Sequence, residues 1–358
     1  MYDAPYEVSP ASGSLRSSEE TRKESAPMPV IDLHAHVTPE RYKEAIRKRG
    51  YWYGLDASAG ELSRGGFAKL LPERLAEMDR FGVDMQLLTP TVGFYQYDNA
   101  VDVTKLIHRE CNDEIHEMIT EHPNRFMGMG MVPMQDPPSA IAELERLIGD
   151  LGFKGVIIND HVAGETYDSP RFLPFFEAAQ GIGALLFFHQ GGATCVTERI
   201  DRYKLPNAVG NLTERALLFA TLVFGGVLDR FPDLKMLLAH GGGYTPYGVA
   251  RMDKVAGALA GDFDGTMRPP FGPNDGFNHE KPPSEYLDRF FYDCCTYDGA
   301  VLRFLIDTVG IDHVVLGTDY PAPMFLHDPV NWVRGLPQLS DSEKEAILVG
   351  NSNELLGV

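Results

Sequence analysis

Short apolar runs alternate with longer amphipathic segments along most of the chain. The runs are three to five residues long and rich in branched side chains, and we count eight of them. They span residues 30–33, 85–88, 126–129, 155–158, 184–188, 235–238, 290–292 and 314–316. Continuous apolar strands that alternate with amphipathic helices predict a parallel sheet whose faces are both covered.

The segments between the runs predict helices. Helices are expected over residues 99–121, 138–151, 171–180, 213–230 and 342–356. In the second of these, Ile141, Leu144, Leu147 and Ile148 recur at helical spacing. Eight strand–helix units in about 330 residues predict an α/β fold, a distorted TIM (β/α)8 barrel. An open, doubly wound sheet is the alternative, but no glycine-rich phosphate loop follows the first strand.

The composition changes at three places in the chain. Residues 1–27 are rich in Ser, Glu and Pro and predict a disordered or extended N-terminal arm. Residues 38–70 and 261–283 are dense in Gly, Pro and Asp and are interpreted as insertions, the first of them after strand 1. We therefore expect one barrel domain over residues 28–358.

Polar side chains follow the predicted strands at their carboxyl ends. His34 and His36 lie in the first strand two residues apart, so both side chains point to one face. His189, His240 and Asp319 follow the fifth, sixth and eighth strands. In a closed parallel barrel these five groups meet at one mouth, where such barrels place their active sites. A single histidine after a strand is usually structural, but this set predicts a metal site.

The types of side chain in this set restrict the metal. Three imidazoles and one carboxylate suit a borderline divalent ion, Zn²⁺ first, with Mn²⁺ or Fe²⁺ as alternatives. Few protein ligands leave a coordination position open for water or for substrate. The other histidines get different interpretations. His161, after the fourth strand, is a candidate pocket residue, whereas His108, His116 and His122 are predicted on a solvated helix face.

Charge and cysteine content exclude several functions. The chain has 32 Lys and Arg against 51 Asp and Glu, a net charge of −19, so nucleic acids and anionic membranes are not expected partners. The longest apolar run, residues 216–228, is shorter than the roughly 20 residues that span a bilayer. Four cysteines without CxxC spacing, and no apolar leader segment, predict a cytoplasmic protein.

These motifs resemble the amidohydrolase superfamily. The resemblance rests on the HAH motif of strand one, on the strand-end histidines, and on the AHGGGYTPYGVAR and GTDYP motifs. It also includes RFMGMGMVPMQDP, GFKGVIINDHV and ILVGNSNELLG, and it extends from about Val30 to the end of the chain. More narrowly, the chain is similar to the branch that contains α-amino-β-carboxymuconate-ε-semialdehyde decarboxylase and the metal-dependent hydroxybenzoate decarboxylases.

The resemblance implies roles for individual residues. It implies that His34, His36, His189 and Asp319 bind one divalent metal ion and that His240 is the catalytic base. Asp319 would also deliver a proton. Asn159 stands at the end of strand four, where binuclear relatives carry a carboxylated lysine, so one metal ion is expected.

The resemblance also implies how the substrate is bound. Arg251 would bind the substrate carboxylate in the neighbouring subunit of a homodimer. After strand one the chain has the sequence YWYGL near the place where the muconate-semialdehyde enzymes carry a second carboxylate-binding arginine. A more aromatic pocket is therefore expected, with Phe94, Tyr95 and Tyr97 facing the mouth.

The predicted function is non-oxidative decarboxylation of an aromatic or conjugated, muconate-like, carboxylic acid. The substrate is thus a small-molecule carboxylate. A hydrolase acting on a lactone, amide or thioester, or a hydratase, is the alternative, because one fold supports several chemistries. A metal-binding sensor without turnover is the third possibility, and a candidate base and acid beside an open metal position argue against it.

Overall fold

The computed structural model describes Met1 and residues 28–56, 65–260 and 278–358. Its eight barrel strands are β1 (Ile31–Val37), β2 (Met85–Pro90), β3 (Phe126–Gly130), β4 (Gly155–Ile158), β5 (Leu185–Phe188), β6 (Lys235–Leu238), β7 (Phe291–Asp293) and β8 (Val314–Val315). Each overlaps a predicted apolar run. The predicted arm beyond Met1, and parts of both predicted insertions, lie outside the described residues.

The strands form a nearly closed parallel barrel. They are hydrogen-bonded in sequence order from β1 to β8, and every named pair is parallel. The sheet closes between β8 and β1, where Leu33 N donates to Leu316 O (2.9 Å) and His36 N donates to Tyr320 O (2.6 Å). The TIM (β/α)8 prediction is confirmed. All carboxyl ends therefore lie at one mouth, as a parallel barrel requires.

Helices connect the strands and cover the barrel. They are α1 (Glu40–Arg49), α2 (Leu71–Phe81), α3 (Val101–Glu121), α4 (Pro137–Gly149), α5 (Leu173–Ile182), α6 (Asn211–Phe224), α7 (Val227–Arg230), α8 (Thr245–Ala260), α9 (Gly299–Val309), α10 (Pro329–Gly335), α11 (Asp341–Glu345) and α12 (Asn351–Leu356). In the predicted insertion after β1, Tyr51–Trp52 pairs antiparallel with Leu55–Asp56.

Two predicted helices are interrupted. The helix expected over residues 213–230 breaks between α6 and α7, because Gly226 adopts a left-handed conformation with φ of 73°. The helix expected over residues 342–356 contains a π-helical turn at Ala346–Gly350 between α11 and α12. Periodicity alone marks neither irregularity, because the apolar pattern continues through both.

The interior is apolar, with a few buried charges. All seven residues of β1 are buried, and so are all four residues each of β4 and β5. Arg215 of α6 is also fully buried and forms an ion pair with Asp160, which follows β4. Burial lowers the pKa of the Arg215 guanidinium to about 9. A buried charge is tolerated where it is paired, and this pair ties α6 to the mouth of the barrel.

Among the described residues, no helix combines the length and the apolar character needed to cross a bilayer.

Close packing of adjacent strands gives a stability prediction. A Cβ added at Gly155 would lie 1.9 Å from the backbone oxygen of Leu185 in the neighbouring strand. We expect Gly155→Ala to lower the free energy of unfolding by about 3 kcal/mol, because backbone atoms cannot move aside without breaking the sheet. Urea unfolding measures the change. Gly149→Ala is the control: its Cβ meets nothing within 4 Å, so it should be neutral or stabilising by up to about 1 kcal/mol. Equal effects would contradict the packing argument.

Candidate metal centre and active site

Three histidines and an aspartate meet at the mouth of the barrel. His34 and His36 lie in β1, His189 follows β5 and Asp319 follows β8. All four are buried, and one ligand atom from each lies within 4.8 Å of the others. The strands bring together residues that are up to 285 positions apart in the sequence, counted from His34 to Asp319.

The spacing of these atoms fits a metal ion. His34 Nε2 lies 3.1 Å from His36 Nε2. Asp319 Oδ1 lies 3.3 Å from His34 Nε2, 3.2 Å from His36 Nε2 and 3.8 Å from His189 Nε2. Ligands at about 2.1 Å around a tetrahedral ion are separated by about 3.4 Å. The four side chains therefore form a divalent metal site.

The other ring nitrogens orient the three imidazoles. Each Nδ1 lies within hydrogen-bond distance of an oxygen, which fixes the ring and leaves Nε2 facing the centre. The partners are Asp293 Oδ2 for His34 (2.7 Å), Thr89 Oγ1 for His36 (2.9 Å) and the Gln190 carbonyl for His189 (2.9 Å). His189 Nε2 is buried and has no hydrogen-bond partner in the described chain. A buried nitrogen without a partner, aimed at a carboxylate and two imidazoles, fits a metal ligand.

Asp293, at the end of β7, connects the metal site to the loop after β6. Its carboxylate is fully buried and accepts hydrogen bonds from His240 N (2.9 Å), Gly241 N (2.9 Å) and Cys295 N (3.1 Å), besides its contact with His34. Burial would raise the pKa of the Asp293 carboxyl, but the His34 imidazole and these donors lower it. The carboxylate thus stays ionised and holds His34 and His240 in one arrangement.

Electrostatics favour the metal-binding protonation state of His36, His189 and Asp319, whereas His34 has to lose a proton when a metal ion binds. Burial lowers the pKa of His189 to about 3 and also lowers that of His36, so both imidazoles are neutral. Burial acts in the same direction on His34, but Asp319 and Asp293 outweigh it and raise the pKa of His34 to about 9. Burial would raise the pKa of Asp319, yet the histidines, His34 foremost, hold it well below its ordinary value.

The two candidate catalytic residues have unusual backbone conformations. His240 has φ of 58° and Asp319 has φ of 62°, in the left-handed region that residues with a Cβ rarely adopt. Three glycines follow His240, which gives the loop its sharp turn. His240 Nε2 lies 3.6 Å from Asp319 Oδ2. Strained backbone of this kind is concentrated at functional sites.

A second buried network holds the strand-8 loop against β1. Thr318 Oγ1 donates to Asp32 Oδ2 (2.7 Å), and Gln86 Nε2 donates to the same oxygen (3.2 Å). Arg74 donates to Gln86 Oε1 (2.8 Å) and to the carbonyl of His36. Burial raises the pKa of Asp32 to about 6 in spite of these donors. The network positions Asp319, the residue after Thr318.

His240 and Asp319 open into a large apolar cavity of about 1030 Å³. Its lining includes aromatic and aliphatic side chains from α8 and α9, from the loops that precede these two helices and from the strand-8 loop, together with two amides near the start of α6. These residues are Tyr244, Tyr247, Tyr297, Val301, Phe304, Met324, Asn207 and Asn211. The cavity is large enough for a substituted aromatic acid.

The predicted aromatic pocket residues lie elsewhere. Phe94 is fully buried and packs against Tyr42 and Trp52, with ring centroids 5.1 and 5.8 Å away, so its assignment to the mouth is wrong. Tyr95 and Tyr97 line a second cavity of about 590 Å³, whose lining contains neither His240 nor Asp319. Tyr95 has a structural contact with the metal site, because its hydroxyl donates to the His189 carbonyl (2.8 Å).

The structure corrects the interpretation of His108, whereas the pocket role of His161 stays a prediction. His161 lines the second cavity, and its ring nitrogens contact Ala193 O (3.2 Å) and Gly164 N (3.0 Å), a structural arrangement. His108 is fully buried rather than solvated, and its Nε2 contacts the carbonyls of Phe94 and Tyr95, both at 3.0 Å. Burial lowers the pKa of His108 to about 4. It is a neutral residue that shapes the loop after β2.

Arg251 does not line the cavity of its own chain. It lies exposed in α8, one turn after Tyr247, and thus on the same helix face.

Asp293 is the site residue that the sequence did not predict. The available signal was its place at the end of the seventh apolar run, the same feature that identified His189, His240 and Asp319.

The role of Asp293 gives a prediction for metal binding. Asp293→Asn should weaken the affinity for Zn²⁺ by about 10- to 100-fold, because the neutral amide holds the His34 ring less firmly. Competition with a chromophoric chelator measures the dissociation constant. The control is Asp298→Ala, which removes the carboxylate that caps α9 through Ala300 N and Val301 N. That variant should lose stability and keep its metal affinity. Unchanged affinity in Asp293→Asn would contradict the proposed role.

Comparison with known proteins agrees with this geometry. The amidohydrolase family model matches residues 31–358. The chain is 33% identical over 345 residues to 2-amino-3-carboxymuconate-6-semialdehyde decarboxylase of Dictyostelium discoideum, covering 92% of this chain and 91% of that protein.

Solved structures share the fold. The 5-carboxyvanillate decarboxylase of Sphingomonas paucimobilis is 27% identical, with a TM-score of 0.78 over 93% of this chain and 100% of that one. The dihydroxybenzoic acid decarboxylase of Polaromonas sp. JS666, solved with manganese and 2-nitroresorcinol, has a TM-score of 0.76 over 92% and 97% of the two chains. It is 22% identical, which shows a common fold. With the family model matching all but the N-terminal segment, this chain belongs to the amidohydrolase family.

Proposed function

We propose that this protein is a metal-dependent, non-oxidative decarboxylase, a carboxy-lyase, that acts on an aromatic or conjugated carboxylic acid. The observation that supports this most directly is that Asp319, one of the four metal-site residues, and His240 next to it line a large apolar cavity. The likeness to a muconate-semialdehyde decarboxylase and to a 5-carboxyvanillate decarboxylase supports the same reaction class.

The residues His34, His36, His189 and Asp319 are proposed to hold one divalent ion. Zn²⁺ is the first candidate, since imidazole and carboxylate ligands suit it, and the same set also binds Mn²⁺ or Fe²⁺. When bound, the ion supplies a positive charge that polarises a substrate oxygen. Elemental analysis of protein purified without added metal identifies the ion.

The chain's own residues supply the proton chemistry. Loss of CO₂ breaks the bond between the carboxyl carbon and the ring, and the electron pair stays on the ring carbon. Asp319, protonated by a substrate hydroxyl, delivers a proton to that carbon. His240, 3.6 Å away, takes part in proton exchange with the Asp319 carboxyl. With a muconate-like substrate, His240 would instead act as the base that helps water add to the double bond before CO₂ leaves.

Arg251 is proposed to bind the substrate carboxylate across a homodimer interface. Its exposed place in α8, outside its own cavity, supports action on a neighbouring site. Tyr247, one turn before Arg251 in α8, is 83% exposed and lines the 1030 Å³ cavity together with the exposed apolar side chains of Phe304 and Met324. A second copy of the chain would remove this apolar surface from water.

We further propose a single barrel domain over residues 28–358 and a cytoplasmic location, with which four free cysteines agree.

The decarboxylase proposal predicts the behaviour of Asp319→Asn. On metal-loaded enzyme and a panel of hydroxybenzoates, naphthoates and muconate-type acids, CO₂ release should fall at least about 10³-fold, because the amide cannot deliver the proton. The control Asp312→Asn replaces an exposed carboxylate and should leave turnover unchanged. Metal content and circular dichroism of both variants separate loss of chemistry from loss of metal or fold.

The panel also tests the hydrolase and hydratase alternatives. Near-normal CO₂ release from Asp319→Asn would overturn the catalytic assignment. Hydrolysis of lactones, amides or thioesters, or hydration of an enoic acid, without CO₂ release by the parent enzyme would overturn the decarboxylase proposal itself.

The shared-site proposal predicts complementation between two inactive variants. Arg251→Ala and Asp319→Asn are each expected to be inactive alone. After equal amounts are mixed, dissociated and reassociated, half of the dimers should be mixed and each should contain one intact site, which restores about a quarter of the parent activity. If Arg251 acts within its own chain, or if the protein is a monomer, the mixture will stay inactive.

A further inference from the structure

Tyr297 occupies an unusual position beside the candidate active site. It lies between Asp293, which orients His34, and Asp298, which caps α9. Its φ is 62°, in the left-handed region, where a bulky side chain is a rare occurrence and glycine is the favoured residue. A tyrosine at such a position costs conformational energy, and strain of this kind is concentrated at functional sites.

The same backbone feature marks the candidate catalytic residues. Tyr297, His240 and Asp319 all have positive φ, and all three line the 1030 Å³ cavity. Tyr203 provides the contrast: it also has φ of 62°, but it is 76% exposed and does not line this cavity. Two of these three strained residues are the proposed acid and base. Backbone strain at a third residue of the same cavity therefore indicates that Tyr297 also contacts the substrate.

The Tyr297 hydroxyl is available for hydrogen bonding. It lies beside the thiol of Cys295, a weak acceptor, and that buried thiol has the carbonyl of Thr318 as its own acceptor at 3.6 Å. The tyrosine side chain remains 45% exposed. Partial burial also raises the pKa of the phenol. The group is therefore a neutral donor that a stronger acceptor in the cavity can engage.

Apart from His240 and Asp319, the other polar side chains that line the cavity are uncharged. The side chains of Asn207 and Asn211, near the start of α6, have no hydrogen-bond partner within the part of the chain that the structure describes. The loop that carries His240 packs against this end of α6, since Tyr244 N donates to Leu212 O (3.1 Å). No Lys or Arg occurs among the described residues that line the cavity. A second carboxylate would find no positive charge from these residues.

We propose that Tyr297 binds the substrate by donating a hydrogen bond, and that with Asn207 and Asn211 it selects an uncharged hydroxyl substituent over a second carboxylate. This inference rests on the proposed decarboxylase function, because it concerns the same cavity. It names the substrate as an aromatic monocarboxylic acid with a further hydroxyl group rather than a dicarboxylic acid.

The first experiment separates function from structure at Tyr297. Tyr297→Gly relieves the strained backbone and removes the side chain, whereas Tyr297→Phe removes the hydroxyl alone. We expect both to lower kcat/KM for the best panel acid by about tenfold or more. Tyr297→Gly should keep or raise Tm, because glycine adopts this φ freely. Tyr203→Gly, with the same φ, should raise Tm and leave kcat/KM unchanged. Parent kcat/KM in both Tyr297 variants, or a lower Tm in Tyr297→Gly, would overturn the proposal.

The second experiment tests selectivity with 2-hydroxybenzoates that carry a hydroxyl, methyl or carboxylate group at carbon 4 or carbon 5. At one of these positions the parent enzyme should prefer the hydroxyl over both other groups by about tenfold or more. In Tyr297→Phe combined with Asn211→Leu, the preference should fall below about threefold. Equal turnover of the three substituents, or a preference for the carboxylate, overturns the inference and leaves the decarboxylase standing. No CO₂ from these acids or from the wider panel overturns both.

Discussion

The arrangement of the site depends on one buried carboxylate. Asp293 has no exposure to solvent, so its charge would be costly if its oxygens lacked hydrogen bonds. It receives four contacts: from the His34 ring and from the backbone nitrogens of His240, Gly241 and Cys295. These groups come from three different parts of the barrel. A Cβ at Gly317 would lie 2.6 Å from the Asp293 Cβ and 2.9 Å from the His34 Cβ, so the contact also requires glycine beside it. The metal site and the loop that carries His240 are thus positioned by one set of interactions.

The left-handed backbone at His240 and Asp319 is maintained by this buried hydrogen bonding. Such conformations cost on the order of 1–3 kcal/mol each and persist only where the surroundings determine them. At His240 the Asp293 carboxylate accepts the backbone N–H. At Asp319 the preceding Thr318 is held by Asp32, and the following Tyr320 accepts a hydrogen bond from His36 N. Local sequence alone would not favour either conformation, so both depend on the closed barrel.

The sequence predicted the part of the site that strand topology determines. The apolar runs located every barrel strand, and the side chains after those strands identified the four metal-site residues and His240. What strand topology does not determine depends on loop geometry. Phe94, Tyr97 and His161 also follow strands, yet the loops turn them into the core or into a second cavity. The burial of His108 follows from the same loop, since it binds the carbonyls of Phe94 and Tyr95. Position after a strand defines the end of the barrel, not the direction of a side chain within a loop.

The net charge of −19 restricts how an anionic substrate can be recognised. At physiological salt the Debye length is about 8 Å, so an anionic substrate interacts mainly with the charged groups near the cavity. The described lining carries a carboxylate at Asp319 and no Lys or Arg, so attraction has to come from the metal ion and from a cation outside this lining. We expect these two positive charges to act together on the one carboxylate that is lost as CO₂. The rest of the substrate is recognised by neutral hydrogen-bond donors, which suit uncharged substituents and do not require a further positive charge. An apolar cavity is therefore compatible with a small monocarboxylic acid. Moving one carboxylate out of water is tolerable beside a fixed positive charge, whereas moving a second one without a charged partner is not.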